Sequence, residues 1–569
     1  FILFYMKILK IIFSIFFLIL YSIAFSQIEI LKTVPISGAS FYPGIKDNKK
    51  NTYIGLFASR AINDSVYVDN KFVVKSKGKI HPIYGKSSAY IFLTLDSNYN
   101  ASKVHQIYGI RDVNGSRLLL ASDSCIYFSI LAYDSVYINE ELIFHGTNRG
   151  YFVLLKYNIK RDTLSIIKEI QSEYGLGDGN FKEFNNKLYY SFYFQGKIQI
   201  DGLEFTAGLG QADRNLLILN LNRLDYKVEK SYYFEGDDEK TIQDFLFDQN
   251  GILYIIGSFW GSSIISNGDT IRNTQTRSYD GFYFKIDSNK NVLANKRIGG
   301  PDWQFPDQLF LTQDGVNILG YYNADFIEVD GVKLLNTSNS YNVFSLSMDS
   351  DSRLLSLTQL DQKTFILPYN FAQYSQSDLS YLLAGYFFGE LNVGNGRILK
   401  NPNDKYDAFI LLMDANCGPI DGYQISGVEG ESASIINNGN GLYTIWGNSE
   451  SDTTYFVNFD QKYRAGLGQF FMDIRFKSST RVEELEEGLK NIEIYPNPSN
   501  DFVTIKSFDL NKSMEMEILA IDGKNVYQKE IDISADEIIF RWPSELKTGI
   551  YFYKFKSKNA MKIIKVIKQ

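Results

Sequence analysis

The sequence predicts an all-β chain: a seven-bladed β-propeller followed by a small β-sandwich. Three observations predict it. A strand phrase returns seven times at nearly constant spacing, each copy alternates apolar residues at period two, and roughly the last 80 residues carry a different strand pattern punctuated by tight-turn residues.

The phrase reads YIFLTLD, FVLLKYN, LLILNLN, GFYFKID, VFSLSMD, AFILLMD and FFMDIR, ending at Asp96, Asn158, Asn222, Asp287, Asp349, Asp414 and Arg475. Successive ends lie 62, 64, 65, 62, 65 and 61 residues apart. The triplets Ile91/Leu93/Leu95, Phe282/Phe284/Ile286 and Phe470/Met472/Ile474, with their counterparts, put apolar side chains on one face of the strand, so each unit offers an apolar face to a neighbour. In the later units a glycine-ended strand precedes the phrase (Gly257, Gly320, Gly385, Gly447), a hairpin with Asp-Gly or Asn-Gly stands between them, and a strand closing on glycine follows. Units two and three lack the first glycine, and the first unit, counted from Gly55, is longer. Four strands in about 64 residues, seven times over, is propeller arithmetic; solenoid coils are shorter and separate sandwiches need about 100 residues each. After the seventh phrase no closing strand appears before residue 479, whereas ILKTVPISG at 30–38 has that form. Pairing it into the last blade would close the ring and remove an edge.

The repeats resemble the bacterial β-propeller repeat of secreted proteins, with its glycine-ended strand followed by D-x-F-x-x-K-x-D; the best copy runs from Gly251 to Gly300. That resemblance implies architecture and carries over no catalytic residue.

Both ends of the chain bear on its destination. Residues 1–26 read as an export signal: Lys7 and Lys10, then the apolar IIFSIFFLIL, then Ala24-Phe25-Ser26 as a cleavage site leaving Gln27, with Met6 as the expected start. Its apolar core of about ten residues is short for a membrane-spanning helix. Residues 27–478 are assigned to the propeller, 479–490 to a charged linker and 491–569 to the sandwich, expected to be immunoglobulin-like. There, Ile492/Ile494, Phe502/Thr504 and Met514/Met516/Ile518 alternate. The segment resembles the type A C-terminal sorting domain of proteins exported by the type IX (Por) secretion system of Bacteroidota. The resemblance rests on Tyr495-Pro496-Asn497-Pro498, the Asp522-Gly523 turn, Gly549 with Tyr551, and a basic ending with Lys562, Lys565 and Lys568. It implies passage across the outer membrane by way of the periplasm, the type IX machinery as partner, and release or attachment to surface lipopolysaccharide.

Within the repeats the chemistry is sparse. A net charge of −7 and a pI near 5.4 oppose nucleic-acid binding. Cys125 and Cys417 fall in different units, and His81, His105 and His145 have no metal spacing, so no cofactor, disulfide or catalytic triad is expected. The acidic turns DSNYN, DSNKN, DSDSR and DANCG lack the oxygens of a calcium loop and suit hairpins. Asp178, Asp237, Asp238 and Asp302 follow closing glycines, either as turn-makers or as a carboxylate pair for glycosidase work. Trp260 and Trp303 are the candidate ligand-binding residues, by stacking on a sugar or peptide; packing between blades is their plainer role. The expectation is a secreted or surface binding protein without turnover, set against a propeller glycosidase or lyase.

Overall fold

The computed structural model describes residues 27–477 and 492–568, apart from short stretches between strands. The expected export signal (1–26), linker (479–490) and motif residues Pro496, Asn497, Pro498, Asp522 and Gly523 lie outside them. The protein is all-β, with no helix among the described residues. Two compact units divide the chain, one spanning Ile28–Phe476 and the other containing Lys477–Gln569.

Within Ile28–Phe476 the main strands form seven antiparallel sheets. The recurring phrase makes the third strand of each: Ala89–Leu95, Tyr151–Asn158, Asn215–Leu221, Asp280–Ile286, Asn342–Asp349, Asp407–Met413 and Gly468–Lys477, in sheets one to seven. Sheet four is typical, with Lys240–Phe247, Leu253–Phe259, Asp280–Ile286 and Val292–Ile298 paired in that order. Sheet seven takes its fourth strand from the start of the chain: Gln27–Ser37 lies beside Gly468–Lys477.

The third strands are buried on both faces, as in Ala89–Leu95, Asn215–Leu221 and Asp407–Met413, where every residue is buried. Each sheet therefore packs on two neighbours. Seven apolar cores result, one between each pair of consecutive sheets and one between sheets seven and one. The period-two triplets all face the preceding sheet: Phe344, Leu346 and Met348 pack with Ile256 and Tyr283 of sheet four, and Ile91, Leu93 and Leu95 pack with Trp446 of sheet seven. The intervening residues face the following sheet.

Register explains the glycines. Gly257, Gly320, Gly385 and Gly447 stand opposite Phe282, Phe344, Phe409 and Phe470. At Gly257, Gly320 and Gly447 the opposing ring fills the space a Cβ would take. The other sheets place a large residue on the second strand and an aliphatic one on the third: Leu56 with Ile91, Ile130 with Val153, Phe192 with Leu217. Units two and three thus lack the glycine because they lack the ring, and in sheet one Leu56 rather than Gly55 holds this place.

Each hairpin between second and third strands covers the outer edge of the preceding sheet. Ser65–Val68 and Lys71–Lys75 extend sheet seven through Ile36↔Val68, Val136–Ile138 extends sheet one, and Thr454–Phe456 extends sheet six. The bridges Ser172↔Ile198, Glu235↔Ile265 and Gly299↔Glu328 do the same for sheets two, three and four, and Gln362 bonds both ways with the Asn392 backbone beside sheet five (2.7 and 3.1 Å). Outer strands are thereby capped against edge pairing. The Asp201-Gly202 and Asp330-Gly331 turns have positive φ at both residues, the hairpin geometry their sequence predicts.

The C-terminal unit has a three-stranded and a four-stranded antiparallel sheet around one core containing Val503, Ile505, Trp542, Ile518, Tyr553 and Phe555. On the strand Phe502–Ser507 the core-facing residues are Val503 and Ile505, while Phe502 is exposed, opposite in phase to an apolar side carried by Phe502.

Candidate functional site

In an antiparallel sheet the start of the first strand, the end of the second and the start of the third meet at one end. In sheets four to six that end is aromatic. Trp260 follows the second strand of sheet four, and Trp303 opens the first strand of sheet five, Trp303–Leu311. Tyr279 joins them, its ring centroid 4.8 Å from that of Trp260, 6.4 Å from Trp303 and 5.4 Å from Phe305. The contacts continue through Phe305 to Tyr321 (5.3 Å), Tyr341 (5.9 Å) and Phe365 (6.3 Å). On sheet six Tyr386 packs against Tyr406 (4.9 Å) and Tyr369 (5.5 Å), and Phe388 against Tyr406 (5.9 Å). The band is half-buried at its centre and open at Trp303 (37%), Phe388 (41%), Tyr369 (45%) and Tyr406 (45%). Trp303 thus packs across onto sheet four while Trp260 packs on Tyr279 of its own sheet, and both also present surface.

The tyrosines of this band arise from one recurring dipeptide. Tyr279-Asp280, Tyr341-Asn342 and Tyr406-Asp407 precede or open their third strands. The acid or amide turns inward, where Arg297 holds Asp280, Gln359 accepts from Asn342 (3.0 Å) and Gln424 holds Asp407. The tyrosine is left at the surface. Tyr279 donates to Glu239 (2.6 Å), and burial, then that carboxylate, raises its pKa.

Beside Trp303 lies a cavity of about 610 Å³ lined by Asp302, Asn323, Asp325, Asn336 and Ser338 among others. Asp302 meets a second carboxylate there: burial, then the charge of Asp325, raises its pKa. The other acidic candidates serve the backbone. Asp237 accepts from the N–H groups of Ser262 and Ser263 (2.9 and 3.2 Å), and Asp238 takes a left-handed turn position. Both offer carbonyls to the buried Lys240 ammonium, whose pKa burial lowers to about 8 against the pull of Asp237, Asp213 and Asp238. The Asp178 side chain lies outside the described residues.

A second cavity, of about 980 Å³, is lined by the inner parts of sheets two to seven: Arg117, Asn180, Gln243, Asp307, Tyr369 and Ser434 each come from a different sheet. Gly179, Gln243, Asp307 and Tyr369 lie where the first strands of sheets three to six bulge, and a bulge re-aims side chains in this way. Burial pushes the Asp307 carboxyl up to about 6, with the Arg117 guanidinium opposing and the Asp244 carboxylate adding to the rise. Asp244 itself is ion-paired to Lys182 of sheet three and accepts from Gln308 (2.6 Å) and the Leu309 N–H (3.0 Å) of sheet five. Sequence reasoning missed Asp307. Its one signal is Pro306, a proline inside a strand, which marks a bulge; Pro368 before Tyr369 and Pro43 in sheet one repeat it.

The acidic turns have a structural role. The Oδ1 atoms of Asp96, Asp287, Asp349 and Asp414 each accept two N–H groups, two and four residues on, at 2.8–2.9 Å. Cys125 and Cys417 are buried free thiols, and His105 bonds Asp162 (3.2 Å) and Asn139 (3.1 Å).

In the C-terminal unit Tyr495 ends the first strand and is exposed, and Gly549 opens Gly549–Ser557. Tyr551 packs on Trp542 (5.4 Å) and donates to the Lys547 carbonyl (2.8 Å). Lys568 lies over the Trp542 ring (5.8 Å) and bonds the Leu546 carbonyl. Lys562 and Lys565 belong to the last strand, Ala560–Lys568. Residues 493–569 match the secretion system C-terminal sorting domain. The sorting domain directs the protein to export through the type IX system, which implies contact with that machinery and a destination outside the cell or on its surface. No curated protein matches the chain.

Proposed function

We propose that this is a non-catalytic binding protein, carried through the periplasm and the type IX system, whose seven sheets are the blades of a closed β-propeller and whose ligand docks at the aromatic end of sheets four to six. Closure is supported by the core between sheets seven and one, by the strand Gln27–Ser37 beside Gly468–Lys477, and by the cavity that six first strands or their loops share. The two-sheet core of the sorting domain supports an immunoglobulin-like sandwich. The observation that carries the binding reading is the half-exposed aromatic band, because rings fixed by their neighbours give contact area at low ordering cost. A glycan or a partner protein is the ligand, and the exported protein is released or attached to lipopolysaccharide. Deleting residues 491–569 should hold the protein in the periplasm. Purified protein should bind on glycan-array and pull-down screens without hydrolysing or cleaving polysaccharide, peptide or ester. A second reading, a glycosidase or lyase, is favoured by Asp307 and Arg117 in the inner cavity. Turnover lost in Asp307→Asn would install it.

A further inference from the structure

Resting on that binding reading, we infer that the aromatic band is a platform for an extended, uncharged polysaccharide, whose sugar rings stack across sheets four to six beside the Asp302–Asp325 cavity. Pyranose units present apolar C–H faces and a rim of hydroxyls. A receptor for them needs flat apolar rings, with carboxylates and amides within reach of the rim. The band supplies the first: Trp303, Tyr369, Phe388 and Tyr406 are 37–45% exposed, Phe388 packs on Tyr406, and Trp303 and Tyr369 are held by Tyr279 and Tyr386. The adjoining cavity of about 610 Å³ supplies the second through Asp302, Asp325, Asn323 and Asn336.

Two features choose this ligand. The same tyrosine recurs as Tyr279, Tyr341 and Tyr406 on three consecutive sheets, so equivalent rings repeat along the surface, which suits a ligand made of repeating units. At the Tyr279 end of the band, charge opposes acidic polymers. Arg214, whose charge acts on Tyr279, is paired with Glu239 (2.7 Å), Lys240 donates to three backbone carbonyls, and the adjoining cavity holds two carboxylates. A peptide could use the same rings but has no need of their periodicity.

The test uses the full exported protein on a microarray of neutral and acidic oligosaccharides of at least about six residues, followed by calorimetry with the best neutral ligand. Alongside run hexagalacturonate, a proline-rich decapeptide and an oligolysine. A neutral oligosaccharide should bind, Trp303→Ala and Tyr406→Ala should each weaken it about tenfold, and the double variant should bind at least about a hundredfold more weakly. Leu224→Ala, 93% exposed on sheet three, should bind as wild type, and unchanged near-UV circular dichroism should show that the variants fold. Binding of no neutral glycan, or equal binding by the folded double variant, overturns the inference. Peptide or hexagalacturonate binding lost in the double variant overturns the ligand class while leaving the docking face intact. Cleavage of the bound glycan, abolished by Asp307→Asn, overturns the non-catalytic reading but not the platform.

Discussion

Gly447 and Phe470 form one packing unit, and a double-mutant cycle between them measures the rule that relates the second and third strands of every sheet. The two stand opposite each other in sheet seven. A Cβ added at Gly447 finds three Phe470 ring carbons as its nearest neighbours, the farthest at 2.8 Å, where ordinary contact begins at 3.4 Å. The ring is 1% exposed in the core between sheets six and seven, so it has nowhere to retreat. Gly447→Ala should therefore cost about 1–3 kcal/mol by overpacking, less about 0.5–1 kcal/mol returned by restricting the unfolded chain. Phe470→Leu alone leaves a void and should cost about 1–2 kcal/mol. Together the methyl enters space the ring has left, so the double variant should be more stable than the sum of the singles by about 1–2 kcal/mol. The chain already contains the compensated form in Leu56 with Ile91 and Ile130 with Val153. Urea unfolding at constant m-value gives the four free energies. Additivity within about 0.3 kcal/mol would refute the reasoning.

Three further outcomes follow from the same structure. Asp307 has a folded pKa near 6 against an ordinary 3.8, so the folded state binds its proton more tightly; that contribution is whole below pH 4 and is lost as pH rises through 6. Asp307→Asn should accordingly stabilise the protein by up to about 3 kcal/mol at pH 7 and by only about 0.5 kcal/mol at pH 4, in urea titrations at the two pH values; an equal effect at both would deny the shift. Removing residues 28–38 strips sheet seven of its outer strand and the hairpin 65–75 of its neighbour, so calorimetry should show a melting temperature lower by about 5 °C or more. Asp237→Ala leaves the N–H groups of Ser262 and Ser263 without their carboxylate and should cost about 1–2 kcal/mol, with faster amide exchange at those two residues as the local signature.

Much of the packing was legible because it is written at period two. The triplets that face the preceding sheet, the Asp-Gly hairpins and the strand at 30–38 could be read directly, since alternation and turn chemistry are local. The other face of the third strands was harder: Tyr90, Phe92, Phe152 and Leu154 are equally buried, and a strand apolar on both sides gives no phase. The core side of Phe502–Ser507 was misread for another reason: the reading follows Phe502, which is exposed, although Val503 and Ile505 against Thr504 and Lys506 carry the phase. Hairpin capping was not legible, because a backbone bridge such as Gly299↔Glu328 leaves no mark in the side chains. Of the candidate site, the sequence named only Trp260 and Trp303. Tyr279 was printed in front of a phrase already aligned, but its partners on sheets five and six come together through packing between sheets. Asp307 needed the bulge at Pro306 to be read as a change of direction.

The repeat constrains the interior and leaves one position to vary. Three residues before the first triplet residue the seven units carry Ser88, Gly150, Arg214, Tyr279, Tyr341, Tyr406 and Leu467. The triplets themselves stay apolar in all seven, since each must fill a core between two sheets. Packing needs no tyrosine at that position, because four sheets pack without one. Its appearance on three consecutive sheets, with a ring that is exposed at Tyr406 and partly exposed at Tyr279 and Tyr341, therefore belongs to something outside the cores. Turn and hairpin residues already explain most of the acids, and the sorting domain explains the route of export. The aromatic end of sheets four to six is where this chain departs from its own pattern, and the proposed recognition sits there because loops and strand ends can vary without disturbing the scaffold.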